Sequence, residues 1–448
     1  MTSRIEKIFW TGFTAWHGRK EKALPYYPLE TLLRIQNRRI TAIIALAYET
    51  VPFYREFMKK EKLLPADFRT AGDLEKLPLV NSEDLSKNPE WFYSSAFHES
   101  KVLALSTSGS SGRYKNIRHD FKAMFLARAG GHRNRMVLFH FVGRSLGYKE
   151  VNVSRNGGTG PAVLQFYNDH SWVPRGIRLK RTMAFPEDTF ADNIRVINEL
   201  EPDVIIGFGS YVGAIYRWAW LNGIPVYSPK LISYGGDTLQ EPDRRIIEHE
   251  YRIPVISRYQ ACEALNIAFQ CEMGKGFHIS LDQIVLRIVD SEGNTVPPGS
   301  SGEIVISNLI NRATVLLNYR MGDQGQLFPY PCTCGRTLPT FVGLRGRTDD
   351  LIVLSDGEVV HESVILSRLY SVPGVMQVQV TQQSLTSFVL KMVCAVERDT
   401  KAVSQELAGI FLETIGKADG ISLKIEPVNV IPQEENGKFR SVVSLCSR

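Results

Sequence analysis

The chain has 448 residues and a formal net charge of +6, from 53 Lys and Arg against 47 Asp and Glu. Apolar residues make up 44% and charged residues 22%, which is typical of globular proteins and excludes the disordered and fibrous classes. Every long apolar run is interrupted before the roughly 20 residues that are needed to cross a bilayer. A transmembrane segment is therefore not expected.

The cysteines and the N-terminus indicate the compartment. Six cysteines in a chain of this length are too few for a disulfide framework, and the first residues lack the cleavage pattern of an export signal. We therefore predict a cytoplasmic protein with reduced thiols. The small positive excess suits anionic small molecules as well as nucleic acid, but no nucleic-acid-binding motif is recognisable, so no nucleic-acid partner is expected.

The first 75 residues are predicted to be mainly helical. Apolar and aromatic residues recur there at helical spacing and form one face, namely Ile5, Ile8, Phe9, Phe13 and Trp16. We expect this face to pack against the rest of the protein. A helix that lies on a membrane surface or binds a partner is the alternative.

Short apolar runs then alternate with helical stretches from about residue 100 to 310. Strands are predicted at 102–105, 203–207 and 230–234, followed by helices at 121–135, 211–221 and 243–251. This order favours parallel strands joined by crossover helices. Between about 283 and 345 the pattern changes to alternating strands with turns, which predicts a small antiparallel subdomain.

A polar, glycine-containing segment at 346–350 has the composition of a linker, and the strand-and-helix pattern restarts after it. We therefore predict an α/β fold with two domains. The first, at 1–347, is a large N-terminal domain with mixed and parallel sheets and flanking helices, and it includes the helical region 1–75 and the β-rich part 283–345. The second, at 348–448, is a small, mobile α+β C-terminal domain.

The stretch that is most informative about chemistry follows the first predicted strand and reads Ser106-Thr107-Ser108-Gly109-Ser110-Ser111-Gly112-Arg113-Tyr114-Lys115. Its glycines let the backbone turn tightly and point N–H groups inward, and its hydroxyls and lysine add donors. The residues predicted to bind the phosphates of ATP are Thr107, Ser108, Gly109, Ser110, Ser111, Gly112 and Lys115. The spacing is not that of a P-loop, and a plain flexible connection is the alternative.

The same run resembles the phosphate loop of the adenylate-forming superfamily, which includes acyl- and aryl-coenzyme A ligases, adenylation domains and luciferases. Further motifs are similar to those of the superfamily and follow its order: Tyr259-Gln260-Ala261-Cys262-Glu263, Tyr319-Arg320-Met321-Gly322-Asp323, Gly346-Arg347-Thr348-Asp349-Asp350 and the segment from Pro432 to Lys438. Segments that look like signatures of the phenylacetate-coenzyme A ligase and capsular-polysaccharide-biosynthesis-protein branch are Val51–Arg55, Leu77–Val80, Tyr234–Asp237 and Cys332–Arg336.

The resemblance implies a role for each motif. Glu263 would hold magnesium near the ATP phosphates and Lys438 would be the adenylation lysine, so these two are the predicted catalytic residues. Asp323 would accept hydrogen bonds from the ribose hydroxyls, with Arg347 as a second contact to ribose or phosphate and Asp349 as the interdomain hinge. A turn-closing role for Asp323 and an interdomain ion pair for Arg347 are the alternatives.

The resemblance also implies where the adenine and the acid would bind. The residues that would hold the adenine and the substrate carboxylate are Tyr234, Gly235, Gly236, Asp237 and Tyr259. Phe208 and Tyr211 are candidate aromatic residues of the substrate pocket, and ordinary core packing is the alternative for both.

Cys271, His278, Cys332 and Cys334 form a candidate metal site. A Cys-x6-His pair and a Cys-x-Cys pair offer four ligands that could complete a tetrahedral zinc. Because no coordination position would stay open, such a zinc would be structural. Reduced, buried cysteines beside an unrelated histidine are the alternative.

Together the residues and the resemblance predict a phenylacetate-coenzyme A ligase-like enzyme. It would use ATP and Mg²⁺ to activate a carboxylic acid, aromatic or similar, as an acyl-adenylate, release pyrophosphate and pass the acyl group to a thiol, that of coenzyme A. The alternatives are amide or ester formation after adenylation, AMP transfer to a small coenzyme, and a non-catalytic role in capsular polysaccharide synthesis. The segment 356–361 departs from the superfamily pattern and leaves adenylation better supported than the coenzyme A step. A homodimer is left open.

Overall fold

The structure is a computed structural model and describes residues 3–108, 114–173, 179–347, 351–395, 398–416, 420–432 and 439–446. Helices and strands both occur along the chain, so the mixed α/β class is confirmed. The α-helices are α1 (Arg4–Lys20), α2 (Leu29–Thr50), α3 (Pro52–Lys60), α4 (Ser82–Lys87), α5 (Phe121–Gly130), α6 (His132–Val142), α7 (Thr159–His170), α8 (Phe190–Leu200), α9 (Gly209–Leu221), α10 (Glu241–Arg245), α11 (Glu362–Leu369) and α12 (Thr400–Thr414). Among the described residues, none of the helices has the length and apolar composition that crossing a membrane requires.

The strands are short, and most of them lie in the middle and at the end of the chain. They are β1 (Val102–Ser108), β2 (Tyr114–Asp120), β3 (Lys149–Val153), β4 (Lys180–Ala184), β5 (Val204–Gly207), β6 (Leu231–Gly235), β7 (Val255–Tyr259), β8 (Ala268–Gln270), β9 (Phe277–Ile279), β10 (Ile284–Val289), β11 (Ser301–Asn308), β12 (Tyr319–Leu327), β13 (Thr340–Arg347), β14 (Leu351–Val353), β15 (Val359–His361), β16 (Val375–Ser384), β17 (Ser387–Cys394), β18 (Ser422–Pro427) and β19 (Val442–Ser444).

The chain divides into two compact units. The first consists of Met1–Glu150, Arg155–Arg181 and Ile256–Gly343. Its strands lie in the order β10-β11-β12-β13-β9-β8-β7, and the pairs β10–β11, β11–β12, β13–β9, β8–β9 and β7–β8 are antiparallel. The antiparallel part predicted at 283–345 is therefore confirmed.

The second unit consists of Val151–Ser154, Thr182–Val255 and Leu344–Arg448. Strands β5 and β6 are parallel, and each is followed by a helix, α9 or α10, as the sequence pattern predicts. Its C-terminal part has the strand order β18-β17-β16-β19, against which α12 packs, with the Phe388 and Phe411 rings 5.2 Å apart. The domain boundary predicted between residues 347 and 348 stays a prediction.

One prediction for the region after residue 100 is wrong, and one predicted helix differs in detail. Strand β1 does not lead through a loop into a crossover helix, because it pairs antiparallel with β2, from Val102 opposite Asp120 to Ser108 opposite Tyr114. In β2 every second side chain is buried, but two of these, Lys115 and His119, are polar, which hides the alternation in the sequence. The helix predicted at 121–135 is interrupted at Gly131 and forms α5 and α6, since glycine is a weak helix former.

Helix α1 also differs from its prediction. Trp10 stacks on Phe125 with the ring centroids 4.7 Å apart, and Phe13 packs on the same cluster. Four residues of the predicted packing face instead point to solvent, namely Ile5, Ile8, Phe9 and Trp16, which are 80%, 65%, 59% and 56% exposed. The helix therefore packs through a neighbouring set of residues, because Trp10 fills the groove beside α5.

A buried network of charges joins three helices of the first unit. The guanidinium of Arg133 in α6 pairs with the Glu21 carboxylate at 2.5 Å and with the Asp282 carboxylate at 2.8 Å. Arg39 in α2 adds a second cation 3.2 Å from Asp282. Arg133 and Asp282 are 2% and 1% exposed, so each charge in this network depends on its partners for solvation.

Replacing Arg133 with methionine is expected to lower the free energy of unfolding by about 3–5 kcal/mol, because Glu21 and Asp282 would lose the buried cation that offsets their desolvation. Urea unfolding followed by tryptophan fluorescence measures the change. The matched control is Arg195→Met, which removes an exposed pair with Asp192 and should cost less than about 1 kcal/mol. Equal losses in the two variants would contradict this account of the network.

Candidate active site

The predicted phosphate loop begins in strand β1 and ends in strand β2. Lys115 is the second residue of β2 and lies opposite Thr107 of β1. Thr107 and Ser108 belong to β1, but their side chains, and all of Gly109, Ser110, Ser111 and Gly112, lie outside the described residues. The hairpin register therefore places Lys115 beside the loop, and phosphate binding by the loop stays a prediction.

Lys115 meets the predicted magnesium ligand, Glu263, which is 148 positions further along the chain. The Lys115 ammonium donates to Glu263 Oε1 at 2.9 Å and to the Tyr319 hydroxyl at 2.9 Å. The Tyr319 hydroxyl donates in turn to Glu263 Oε1 at 3.2 Å. All three residues are buried, at 4%, 7% and 1% exposure. The structure thus brings together one residue from each of three predicted motifs: the last of the phosphate-loop stretch, Lys115, the last of the second motif, Glu263, and the first of the third, Tyr319.

The electrostatics of Glu263 follow from this arrangement. Burial raises the pKa of the carboxyl group, whereas the charge of Lys115 and the hydrogen bonds from Lys115 and Tyr319 lower it, and the balance holds the pKa below its ordinary value. The side chain is therefore an ionised carboxylate at neutral pH. A hard, anionic oxygen of this kind is what Mg²⁺ prefers.

The backbone that carries Glu263 is fixed by side chains from neighbouring elements. The Asn308 side-chain amide donates to the Glu263 carbonyl at 3.0 Å. His119 Nε2 donates to the Cys262 carbonyl at 2.8 Å, and burial lowers the pKa of His119 to about 4, so this imidazole is neutral. Sequence reasoning missed His119 and Asn308 as positioning residues. Neither residue carries a local sequence signal, since the inward position of His119 in β2 is visible only in the structure.

A second pair of motif residues also meets in the first unit. The Tyr259 hydroxyl donates to Asp323 Oδ2 at 2.6 Å, and the Tyr259 ring packs edge-on against Phe341, with centroids 5.7 Å apart. Tyr259 ends β7, and Asp323 lies in β12. The predicted ribose ligand is therefore held next to the predicted adenine-binding aromatic residue.

Arg320 of the Tyr-Arg-x-Gly-Asp motif has a structural contact. Its guanidinium pairs with Glu303 of β11, with Nε 2.8 Å from Oε2. Gly322 has φ +75°, a conformation that glycine adopts without strain. The motif thus combines Tyr319, which contacts Lys115 and Glu263, with an ion pair to β11 and an irregularity in the β11–β12 pairing that precedes Asp323.

The segment Tyr234–Asp237 lies at the end of β6 in the second unit. The Asp237 carboxylate accepts a hydrogen bond from the Ser210 hydroxyl, and the Tyr234 hydroxyl accepts one from Arg244 at 3.2 Å. Gly236 has φ +88°, and a Cβ placed there would lie 3.1 Å from the Phe208 ring. The predicted pocket residue Phe208 therefore packs on the predicted adenine-binding segment.

The other predicted pocket aromatic is more deeply buried. Tyr211 is 4% exposed, its hydroxyl accepts a hydrogen bond from Asn193 at 2.8 Å, and its ring lies 5.6 Å from that of Phe190. Its role in substrate binding stays a prediction.

Asp349 and Lys438 lie outside the described residues, and so does the side chain of Arg347, whose backbone ends β13. Their roles also stay predictions.

The predicted metal cluster is brought together in the first unit. The ligand atoms of Cys271, His278, Cys332 and Cys334 all lie within 4.8 Å of one another. Cys271 Sγ is 3.8 Å from Cys332 Sγ, and Cys334 Sγ is 3.3 Å from His278 Nε2. The three cysteines of the cluster are free thiols. His278 Nδ1 lies 3.2 Å from the Leu338 carbonyl, and donation to that oxygen leaves the Nε2 lone pair directed at the cluster.

Replacing Lys115 with methionine should couple stability to the protonation of Glu263. In the wild-type protein the lowered pKa of Glu263 makes its contribution to stability fully present above the unfolded-state pKa of about 4.3 and lost as the pH falls further. Without Lys115, burial alone would raise this pKa, so the variant gains stability as Glu263 takes up a proton. The loss of unfolding free energy caused by Lys115→Met is therefore expected to shrink as the pH falls from 7.5 to 5.

Urea unfolding at several pH values tests this expectation, with Lys122→Met, at an exposed position in α5, as the control. A stability difference between wild type and Lys115→Met that stays constant or grows on acidification would contradict the coupling.

Comparison with known proteins agrees with the motifs. The family described as CapK C-terminal domain matches residues 352–445. A phenylacetate-coenzyme A ligase of Thermus thermophilus is 25% identical over 461 residues, which cover 93% of this chain and 97% of that protein, and one of Escherichia coli K12 is 25% identical over 350 residues, which cover 73% and 75%. A crystal structure of 2-hydroxyisobutyryl-CoA ligase in the postadenylation state, in complex with R3-HIB-AMP, has a TM-score of 0.74 at 18% identity and covers 91% of this chain and 88% of its own. The chain is thus similar in sequence to phenylacetate-coenzyme A ligases over nearly its whole length, its C-terminal part matches the CapK C-terminal domain family, and it shares the fold of an adenylate-forming ligase.

Proposed function

We propose that the chain is an ATP-dependent ligase that activates a carboxylic acid as an acyl-adenylate, releases pyrophosphate, and transfers the acyl group to the thiol of coenzyme A. The observation that carries the proposal is the buried contact of Lys115, Glu263 and Tyr319, because it gathers three separate motifs of the superfamily at one point. The named sequence relatives are phenylacetate-coenzyme A ligases, which favours an aromatic or similar acid.

The reaction requires a site with preplaced charges. A substrate carboxylate oxygen attacks the α-phosphorus of ATP, the bond from that phosphorus to the bridging oxygen of pyrophosphate breaks, and the acyl-adenylate forms. Two anions must approach each other, and charge grows on the leaving pyrophosphate, so fixed cations and hydrogen-bond donors lower the barrier. Lys115 provides such a cation beside the predicted phosphate loop.

Glu263 fits a magnesium ligand by its chemistry. Its carboxylate is ionised and held in one orientation by Lys115 and Tyr319, and Mg²⁺ usually binds to one or two carboxylates together with phosphates of the substrate. Magnesium bound there would neutralise charge on the phosphates. The Tyr319 hydroxyl donates to the same carboxylate and so provides a second hydrogen bond that fixes its orientation.

Asp323 is suited to bind the ribose. A carboxylate can accept hydrogen bonds from two vicinal hydroxyls, and the Tyr259 hydroxyl, 2.6 Å away, fixes the carboxylate that would do so. Because Tyr259 is also the predicted partner of the adenine, one hydrogen bond orients two nucleoside contacts. The ribose role of Asp323 and the adenine role of Tyr259 therefore support each other.

Lys438 is proposed to act in adenylation alone. Its ammonium would stabilise the charge that forms during attack on the α-phosphorus, and the loss of one such group typically costs about 2.7–4 kcal/mol of barrier. Lys438→Met is therefore expected to slow acid-dependent exchange of labelled pyrophosphate into ATP by about 10²–10³-fold. ATP binding, measured by calorimetry, should change less than tenfold.

The control is Lys424→Met, since Lys424 is a 70% exposed residue of the same C-terminal region; its exchange rate should match that of wild type. No exchange by the wild-type protein across a broad panel of carboxylic acids would contradict the proposed function. Normal exchange by Lys438→Met would contradict the role of this lysine only.

We further propose that the Cys/His cluster binds a structural zinc. A tetrahedral zinc with Zn–S bonds of about 2.3 Å separates its sulfur ligands by about 3.8 Å, and the Cys271 and Cys332 sulfurs are 3.8 Å apart. The segment that carries Cys332 and Cys334 also contacts the connection between α1 and α2. Three residues after Cys334, the Thr337 amide donates to the Pro25 carbonyl at 2.8 Å. Metal bound there would stabilise this part of the first unit.

Purified protein is expected to contain about one zinc per chain by mass spectrometry of the metal, and Cys334→Ser should lose it, since three ligands bind zinc much more weakly than four. Loss of the metal should lower the unfolding temperature by about 5–10 °C. The control is Cys446→Ser, which lies outside the cluster and should keep both the zinc content and the unfolding temperature of the wild type. Zinc-free wild-type protein, or full occupancy in Cys334→Ser, would overturn the proposal.

A further inference from the structure

An arginine with an unused donor lies next to the predicted nucleotide site. Arg258 is the fourth residue of β7 and directly precedes Tyr259. The residue as a whole is half-buried, and its Nε is buried without a hydrogen-bond partner among the described residues. A buried guanidinium with a donor unpaired is unusual, because such a group normally satisfies its hydrogen bonds.

Arg258 belongs to a group of arginines around Tyr148 and Glu150 in the first unit. Arg135, Arg181 and Arg258 all act on the Tyr148 hydroxyl electrostatically. A carboxylate in this group, that of Glu150, is 1% exposed and accepts a hydrogen bond from Arg181 Nε at 2.5 Å, whereas its other oxygen has no partner in the part of the chain that the structure describes.

A fourth arginine extends the group. Arg128 donates to the Ser171 hydroxyl at 2.6 Å and stacks on Tyr167 at 4.6 Å from the ring centroid, so both of its contacts are neutral. Burial lowers its pKa to about 10, and the like charges of Arg135 and Arg181 act in the same direction. Burial and the charge of Arg181 also lower the pKa of Arg258.

The charges of this arginine cluster do not balance. In the part of the chain that the structure describes, Arg128, Arg135, Arg181 and Arg258 carry four positive charges, and the carboxylate that faces them is Glu150. The buried network at Arg133 in the same unit shows the usual solution, in which one guanidinium faces two carboxylates, Glu21 and Asp282. Since cations of like sign repel each other strongly at low dielectric, the arginine cluster is suited to receive an anion.

The position of Arg258 relates this anion to the proposed reaction. Neighbouring Cα atoms in a strand are about 3.8 Å apart, so Arg258 lies close to Tyr259, whose hydroxyl contacts the predicted ribose ligand Asp323. Successive side chains point to opposite faces of a strand, but both residues stand at the carboxyl end of β7, where a ligand can reach side chains on either face. Arg258 is therefore adjacent in the chain to a residue of the predicted nucleoside site.

We propose that the arginine cluster binds a second anionic group, a carboxylate or a phosphate, carried by the acid substrate. This inference rests on the proposed function and adds the substrate class: an acid with one carboxylate to be adenylated and another anion at its far end. A phosphate of coenzyme A would offer the same chemistry to the arginines. An anion of the acid can be distinguished from a phosphate of coenzyme A, because pyrophosphate exchange proceeds without coenzyme A.

The experiment compares each dianion with its monoester in acid-dependent pyrophosphate exchange. The probes are adipate with monomethyl adipate, and 4-carboxyphenylacetate with the methyl ester of its ring carboxylate. Wild type is expected to prefer at least one dianion by about 10- to 100-fold in kcat/KM, because hydrogen bonds to charged groups are strong. In Arg258→Met this preference should fall to about threefold or less, mainly through a higher KM for the dianion, while kcat/KM for the ester stays within about threefold.

Arg195→Met, which removes an exposed arginine in α8, is the control and should retain the preference. Arg135→Met tests the cluster independently of strand β7, with circular dichroism to verify folding, and should lower the same ratio. A wild type that exchanges with monoanions and shows no preference for either dianion would overturn this inference alone. A raised KM for coenzyme A in Arg258→Met with unchanged acid preference would also overturn it. No exchange with any acid would reject the proposed function and the inference together.

Discussion

The buried contact between Lys115 and Glu263 is the interaction on which the rest of the account depends. Neither charge is stable alone in an apolar interior, so each requires the other, and the Tyr319 hydroxyl satisfies both. The contact joins the β1–β2 hairpin to the turn after β7 and to the start of β12. An interaction that stabilises the first unit thus also positions the groups that the proposed chemistry needs.

The distribution of buried charge distinguishes structural from functional arginines in this unit. At Arg133 the cation and carboxylates balance, and the network connects helices. Around Arg258 the cations of the described residues exceed the charge of the carboxylate that faces them, Glu150. Balanced buried charge is explained by folding alone, whereas an excess of one sign implies a ligand of the other sign. Arg320 is paired with Glu303, so its charge is balanced within the protein. On the same reasoning it is structural, unlike the arginines that are proposed to bind substrate.

Part of this arrangement could be read from the sequence. The parallel pair β5–β6 and the antiparallel strands β10–β12 follow from periodicity, and the Cys/His cluster follows from ligand type. The pairing of β1 with β2 could not be predicted, because polar Lys115 and His119 occupy the inward positions of β2. The contact of Lys115 with Glu263 depends on tertiary structure and has no local signal. The exposed face of α1 was also missed, since hydrophobic spacing does not tell which of two apolar faces will be buried.

The most direct test follows an oxygen atom through the reaction. If the acid carboxylate attacks the α-phosphorus, one of its oxygens becomes the bridge of the acyl-adenylate and remains on AMP when the acyl carbon is attacked by a thiol or water. An acid labelled with ¹⁸O in both carboxyl oxygens, incubated with ATP, Mg²⁺ and coenzyme A, should therefore give AMP that contains one ¹⁸O by mass spectrometry. Unlabelled AMP, or label in inorganic phosphate together with ADP, would contradict the account.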